Sequence, residues 1–199
     1  MAEINNGTNN PIINYGVSSK KSKIYRSSKE PQDGFEKVEL QSGGVTYHKY
    51  INGLSGKITY LERDKKTLTN GNDLDNLKIF LNDGTTTQSL ALKTYSGEWK
   101  LAIKHLFYID FSKEIEISFY KTKKGDKTYN NCFVRYSVEE VIDEKAVYPT
   151  WLDTTTVEKG GEVPNPVKNK KGELDWTDND LYYLDKLETL IKRFKEFKA

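Results

Sequence analysis

The middle of the chain alternates hydrophobic and polar residues in a pattern that predicts five β-strands. The first segment, VTYHKYINGLSGKITYLER, alternates over much of its length, and its Gly53 and Gly56 indicate a bend or bulge. The second, NLKIFLND, places Leu77, Ile79 and Leu81 on one face, because alternate residues of a strand point to the same side. The segments TTTQSLALKTY, EIEISFYKT and TYNNCFVRYSV continue the same period. We therefore expect a long, bent first strand followed by four shorter ones.

The segment SGEWKLAIKHLFYI, between the third and fourth strands, changes the period from two to that of a helix. Its hydrophobic residues recur at three- and four-residue spacing: Trp99, Ala102, Ile103 and Leu106. Ser96 stands directly before this pattern and is a suitable N-cap, since its hydroxyl can accept a hydrogen bond from the first turn. An amphipathic helix is therefore predicted here.

The order over residues 45–138 is thus strand, strand, strand, helix, strand, strand. This is the connectivity of the OB-fold, a five-stranded Greek-key barrel with a helix between its third and fourth strands. Other small barrels, such as SH3-like ones, lack a helix of this length at that place. The predicted fold class is mainly β: an OB-fold barrel over residues 45–138, with an amphipathic helix at the C-terminus.

The flanking segments are more polar and less regular. Residues 1–44 show little periodicity, which predicts an extended N-terminal arm with a short strand near Phe35–Leu40. The arm contains a small basic patch beside an aromatic ring: Lys20, Lys21, Lys23, Arg26 and Tyr25. A solvated tail is the simpler explanation of that patch. Residues 139–176 contain Gly-Gly and Pro-Asn-Pro and are predicted to be a linker.

Residues 177–199 are predicted to form an amphipathic helix. Thr177 with Asp180 resembles a capping box at its start. The hydrophobic side chains along one side are candidate partner-docking residues: Leu181, Leu184, Leu187, Ile191 and Phe194. A helix that is apolar on one side needs a groove to bury that side. The helix therefore folds back on its own barrel, pairs with a second copy, or docks on a different protein.

Composition excludes several classes of protein. No apolar run approaches the roughly 20 residues that span a bilayer, and the N-terminus lacks the pattern of a secretory signal. The single cysteine, Cys132, cannot form an internal disulfide, which favours a reducing, cytoplasmic compartment. A structural zinc site is not expected, because the candidate ligands Cys132, His48 and His105 are too few and too scattered along the chain.

Known catalytic motifs are also missing. The chain has no GxSxG, no Walker glycine loop and no HExxH, so we expect neither an enzyme nor a cofactor. Asp73 and Asp75 lie in a turn with Asn72 and Asn76, but the glycine and final glutamate of a calcium loop are lacking. A solvated turn is the expected structure there, and no metal site is predicted.

Charge and aromatic residues point instead to binding. Residues 45–138 hold 15 Lys and Arg against 10 Asp and Glu, whereas residues 139–199 hold 10 against 14. In an OB-fold, nucleic acid binds across the second and third strands, between the 1–2 and 4–5 loops. Cations beside flat rings suit a single strand, which exposes both phosphates and base faces. The predicted nucleic-acid-binding residues are Tyr60, Arg63, Lys65, Lys66, Tyr120, Lys121, Lys123, Lys124, Lys127 and Tyr129. A solvated hairpin tip is the alternative explanation of the lysines.

The stretch IDFSKEIEISFYKTKKGDK resembles a known family. Its Ile109-Asp110-Phe111-Ser112-Lys113, its aromatic strand end Phe119-Tyr120 and its turn Lys124-Gly125-Asp126-Lys127 are similar to segments of the OB-fold single-stranded-DNA-binding proteins of crAss-like and related phages of Bacteroidetes. LSGKITYLERD, with Gly56, is also similar. The resemblance covers about residues 45–136. Glu114 stands where the family usually has proline.

This resemblance implies sequence-independent binding of single-stranded DNA in phage replication or recombination, inside the bacterial host cell. A possible further partner is a protein, or a second copy, held by the C-terminal helix. The alternative is a virion or assembly protein that uses an OB barrel for protein–protein contacts, since a fold does not fix a function.

Overall fold

The computed structural model describes residues 11–40, 43–67, 71, 73–137, 141–142 and 145–199. Asn72, considered above as a metal ligand, lies outside the described residues. Nine strands form one curled sheet, a half-barrel. In chain order they are β1 Ile12–Ser18, β2 Lys23–Ser28, β3 Glu36–Glu39, β4 Val45–Ile51, β5 Gly53–Thr67, β6 Asp73–Asn82, β7 Thr87–Lys93, β8 Glu114–Lys124 and β9 Lys127–Tyr136.

Two α-helices, a short 3₁₀-helix at Val157–Lys159 and two small hairpins complete the described elements. The helices are α1, Gly97–Leu106, and α2, Thr177–Lys198. The hairpins pair β10, Val141–Ile142, with β11, Lys145–Ala146, and β12, Val167–Lys168, with β13, Leu174–Asp175. No helix in the described part of the chain is long and apolar enough to cross a membrane.

The second to fifth strands predicted for the middle of the chain are confirmed as β6 to β9 and the helix as α1, and β5 is the later part of the first predicted strand. Strands β5, β6 and β7 form an antiparallel meander, β8 pairs with the start of β5, and β9 pairs with β8. The predicted cap is also present, because the Ser96 hydroxyl accepts a hydrogen bond from the Trp99 amide at 3.1 Å. The bulge in β5 lies between Ile58 and Tyr60.

The closed five-stranded Greek-key barrel is not confirmed. The sheet order is β3-β4-β2-β1-β7-β6-β5-β8-β9, so β7 has β1 as its neighbour instead of β9. Strand β1 runs parallel to β7, with Tyr15 opposite Leu90. A strand from the N-terminal arm thus occupies the edge that would close the barrel, and the sheet stays open.

The N-terminal arm is more regular than predicted. The expected short strand is β3, but β1 and β2 also belong to the main sheet. The predicted long first strand is divided at Asn52 into β4, which pairs with β2 and β3, and β5, which pairs with β6 and β8. The arm and the body therefore share one sheet.

The core lies between the inner face of this sheet and the two helices. Leu77, Ile79 and Leu81 are fully buried, as their alternation predicts. Helix α1 contributes Trp99 and Ile103 to the same cluster. The segment predicted as a linker supplies further buried residues, Leu152 and Val163, so it is packed in part against the core.

Helix α2 folds back on the protein's own core, which is one of the three arrangements considered above. Leu187 and Phe194 are buried, Leu184 and Ile191 pack partly against the core, and Leu181 is 55% exposed. The first four therefore pack against this chain. The capping box predicted at Thr177 is wrong, because Asp175 accepts from the Thr177 amide at 2.9 Å and from its hydroxyl at 2.6 Å.

Candidate functional site

The β8–β9 hairpin combines a buried base with an exposed tip. Ile115, Ile117 and Phe119 of β8 are buried, whereas every residue from Tyr120 to Asn130 is exposed. The tip turns at Gly125, whose φ of +60° is a conformation that favours glycine. The core therefore fixes the base of a hairpin whose outer half projects into solvent.

Strand register places the aromatic side chains of the hairpin in a row on its outer face. Tyr120 pairs with Asn131, Thr122 with Tyr129 and Lys124 with Lys127, and paired residues point to the same side. From the base outwards, the rings and cations of this face, here called the outer stripe, are Phe133, Tyr120, Tyr129, Lys124 and Lys127, and their cross-strand partners include Ser118, Asn131 and Thr122. This face points away from Phe119 and the core. Its aromatic rings lie nearer the base of the hairpin, and its lysines lie at the tip.

The tyrosine rings of the outer stripe are accessible, and Tyr120 contacts a second ring at the base of the hairpin. Tyr120 and Tyr129 are 41% and 47% exposed. The Tyr120 and Phe133 rings meet at 60° with their centroids 5.9 Å apart. Arg135 lies over the Phe133 ring at 5.7 Å and forms an ion pair with Glu116. The row is therefore supported at its base.

The inner face of the hairpin contacts the turn between β1 and β2. Lys121 donates a hydrogen bond to the Lys20 carbonyl oxygen at 2.5 Å, so it holds the turn between β1 and β2. Lys123 is exposed on the same face. In the described part of the chain, Lys123, Lys124 and Lys127 form no ion pair with a carboxylate. These three ammonium groups are therefore available to an anion.

The turn between β1 and β2 is fixed against the hairpin by a small polar cluster. The Ser22 hydroxyl donates to the Asn130 side-chain oxygen at 2.5 Å. The Asn130 amide nitrogen donates to the Ser19 carbonyl and to the buried Glu98 carboxylate, each at 3.2 Å. Ser22 is 1% exposed and has a left-handed φ of +49°. The turn is therefore held in one conformation, with Lys21 and Lys23 projecting from it.

A groove of about 550 Å³ is left on the outer side of the arm, and another of about 410 Å³ lies between the turn and the hairpin. The second, here called the hairpin groove, is lined by Tyr120 and Phe133 together with three lysines, Lys21, Lys23 and Lys121. Glu116 also lines it, but this carboxylate is paired with Arg135. The hairpin groove thus has aromatic and cationic walls.

The predicted residues on β5 lie apart from the hairpin tip. Tyr60, Lys65 and Lys66 belong to the part of β5 that pairs with β6, whereas β8 pairs only with the first residues of that strand. Tyr60 is 39% exposed and meets Phe80 edge-on at 5.6 Å. Lys65 and Lys66 are exposed on a strand, not in a loop, and Lys66 lies 3.6 Å from Asp64.

Arg63 is engaged inside the protein. Its guanidinium makes two hydrogen bonds to Asp75, at 2.9 and 2.7 Å, and a third to the Tyr95 hydroxyl at 3.3 Å. These contacts hold the pKa of Asp75 below its usual value, with a further contribution from the Thr94 hydroxyl. A Glu188 oxygen lies 3.5 Å from Arg63, which ties α2 to β5. The side chain is 11% exposed and leaves little room for a phosphate.

The structure therefore gathers Tyr120, Lys121, Lys123, Lys124, Lys127 and Tyr129 on one hairpin and leaves the four predicted residues of β5 elsewhere. Sequence reasoning missed Lys21 and Lys23 as neighbours of this hairpin, although the basic patch around Tyr25 was visible. Asp73 and Asp75 bind protein groups, and no cluster suited to a metal ion occurs among the described residues.

Comparison of the chain with protein-family models, with curated proteins and with solved structures gives no match.

Proposed function

We propose that the protein binds single-stranded DNA without sequence preference, through the outer stripe and the lysines of the β8–β9 hairpin. The observation that carries this proposal is the row of rings from Phe133 through Tyr120 to Tyr129, which ends in Lys124 and Lys127. Rings offer stacking surfaces to any base, and lysines neutralise phosphates irrespective of sequence. Duplex bases are already stacked on their neighbours and cannot use such a row.

The connectivity supports an OB-like framework for this activity. Strands β5 to β9 with α1 have the order of that fold, and β1 with β2 would then be an addition beside its third strand. The hairpin corresponds to the 4–5 loop, one of the two loops that flank the OB ligand surface. Together with the resemblance to phage DNA-binding proteins, this favours a role in phage replication or recombination within the host cytoplasm.

The test is fluorescence anisotropy of a labelled oligo-dT of about 30 nucleotides, long enough for more than one OB-sized site, against a duplex of equal length. We expect a strong preference for the single strand. Replacing Tyr120 by Ala should weaken binding by about 1–3 kcal/mol, roughly 5- to 150-fold, as expected for one stacked base. Binding should weaken with added salt.

A paired-lysine variant separates charge from stacking. Lys124→Gln with Lys127→Gln should lower the slope of log affinity against log salt by about 0.7 for each phosphate that the variant no longer neutralises. The matched control is Lys170→Gln with Lys171→Gln, two exposed lysines of the C-terminal third. Equal binding of single strand and duplex, or an equal effect of both lysine pairs, would contradict the proposal and favour the alternative of an assembly protein.

A further inference from the structure

The larger groove, of about 550 Å³, lies on the outer face of the N-terminal strands and is here called the arm groove. Tyr25, His48 and Tyr50 from β2 and β4 form one of its walls. Three lysines line it as well: Lys20, Lys21 and Lys37. Two acidic residues of the edge strand β3, Glu36 and Glu39, complete the charged lining.

The rings of the arm groove are poorly placed for stacking. Tyr25 is stacked on His48, with centroids 4.1 Å apart and planes at 15°. Its other side covers Gly16, where an added Cβ would lie 3.0 Å from the ring. The Tyr50 ring is covered by the Lys21 ammonium at 4.0 Å. The Tyr25 ring is therefore covered on both faces, and His48 and Tyr50 each have one face covered.

What the arm groove does offer is polar and cationic. The Tyr50 hydroxyl lies 3.4 Å from His48 Nδ1, and burial together with Lys21 lowers the pKa of His48, which favours the uncharged ring. Lys20 and Lys37 add exposed ammonium groups, and that of Lys37 lies 3.7 Å from a Glu39 carboxylate oxygen. Hydroxyls and ammonium groups suit the sugar and phosphate of a nucleic acid better than its bases.

Lys21 connects the two grooves. Lys21 is a lining residue of both the hairpin groove and the arm groove, while Lys23 lines only the former and Lys20 and Lys37 only the latter. The turn that carries Lys21 is anchored to Asn130 through Ser19 and Ser22. A strand that leaves the hairpin groove past Lys21 therefore enters the arm groove.

We propose that the arm groove is a second subsite, which binds the sugar–phosphate backbone of a strand whose bases stack on the hairpin. This inference rests on the proposed function and adds to it a path and a longer footprint. Glu36 forms an ion pair with Lys21 and competes with phosphate for it. A strand that crosses both grooves covers more nucleotides than one that occupies the hairpin alone.

The test measures the affinity of the full chain for oligo-dT of about 4, 8, 16 and 30 nucleotides, a range that brackets single OB-fold footprints. Because stacking makes the hairpin the tighter subsite, short strands should occupy it first. Lys23→Gln should therefore weaken binding at every length. Lys20→Gln with Lys37→Gln should weaken it about 3- to 30-fold for the long strands alone, with a salt slope smaller by about 0.7 for each phosphate left without its lysine.

Glu36→Gln should strengthen the binding of long strands, since it removes the competing carboxylate. Lys29→Gln is the control, an exposed lysine of the same arm that lines neither groove. If the Lys20 and Lys37 double variant binds every length as the wild type does, the arm groove is not a subsite, while the proposed function stands. If the wild type binds no oligonucleotide, the proposed function itself fails.

Discussion

The two ends of the chain are attached to the same body by different kinds of contact. The N-terminal arm is held mainly through its backbone: β1 forms a parallel ladder with β7, and β2 forms an antiparallel ladder with β4. Ile24 is the one fully buried hydrophobic residue within its described part, residues 11–40. Helix α2 instead buries a row of side chains: Tyr183, Leu187, Leu190 and Phe194.

This difference determines what each attachment can do. Backbone hydrogen bonds are available to almost any sequence, so the arm can keep its surface side chains polar and basic. Side-chain burial needs a hydrophobic stripe, and the hydrophobic side of α2 is packed against the core. The arm therefore keeps its basic side chains at the surface, whereas one side of α2 is buried in the core.

Leu187→Ala should have the largest effect on stability. The side chain is fully buried, and truncation of a buried leucine typically costs about 2–5 kcal/mol in the free energy of unfolding. Chemical denaturation would measure the loss, and limited proteolysis would show whether α2 is released. Leu181→Ala is the control, because that leucine is 55% exposed and should change stability by less than about 0.5 kcal/mol. Equal losses of stability in the two variants would contradict the attachment of α2 through its buried side chains.

The same difference explains how much of the fold could be predicted from the sequence. The stripe of α2 and the alternation of β6 to β9 are patterns of side chains, so the sequence displays them. The pairing of β1 with β7 uses backbone groups between residues about 75 apart along the chain, and no side-chain pattern of the arm indicates it. The open sheet was missed for this reason.

The candidate site shows the same limit. The lysines and tyrosines of the hairpin are neighbours along the chain, so their clustering was predictable. Arg63 was expected to bind nucleic acid, but its partners Asp75 and Glu188 come from a different strand and from α2. The contact between Ser22 and Asn130 joins residues 108 positions apart. Partners this distant are set by the fold and not by local pattern.

The pH dependence of the free energy of unfolding tests the burial of His105, which contacts the segment preceding α2. His105 of α1 is 5% exposed, and the Trp151 ring meets it edge-on at 3.8 Å. Burial lowers its pKa from 6.5 to about 4, with a smaller opposing effect from a backbone hydrogen bond at Cys132 and a small further lowering by Lys104. Between these values the unfolded chain binds a proton that the folded chain does not. Stability therefore falls as the pH decreases from about 6.5 to 4.

The expected loss is about 1–3 kcal/mol, because one pKa unit corresponds to about 1.4 kcal/mol and nearby solvent reduces the full difference. Denaturation at pH 7 and at pH 4.5 would measure it. His105→Leu should remove this part of the dependence, while His48 and the carboxylates titrate in both proteins. If His105→Leu loses as much stability between pH 7 and pH 4.5 as the wild type does, the pH dependence does not come from His105.

Asn130→Ala tests the polar anchor of the arm. It removes the partner of the Ser22 hydroxyl and one hydrogen bond to the buried Glu98 carboxylate. Leaving buried polar groups unpaired costs about 1–3 kcal/mol. The released turn should also lower the affinity for single strands, because Lys21 and Lys23 lose their fixed positions. Asn169→Ala is the control for stability: it removes three exposed hydrogen bonds, one donated to the Glu173 carboxylate and two accepted from the Lys171 and Glu173 amides. A loss of stability no larger than in this control would mean that the turn is held by the strands alone.

Ile24→Val should change the stability least among these variants. It also tests most directly whether the arm is held by backbone contacts while α2 is held by buried side chains. Removing one methyl group from a buried isoleucine costs about 0.5–1.5 kcal/mol, and Ile24 is the buried side chain through which the arm reaches the core. The matched control is Ile12→Val in β1, where the side chain is 53% exposed and a change below about 0.5 kcal/mol is expected. A cost for Ile24→Val as large as that for Leu187→Ala would show that side-chain burial holds both ends alike. A cost equal to that of Ile12→Val would assign the attachment of the arm to its backbone ladders and polar anchor.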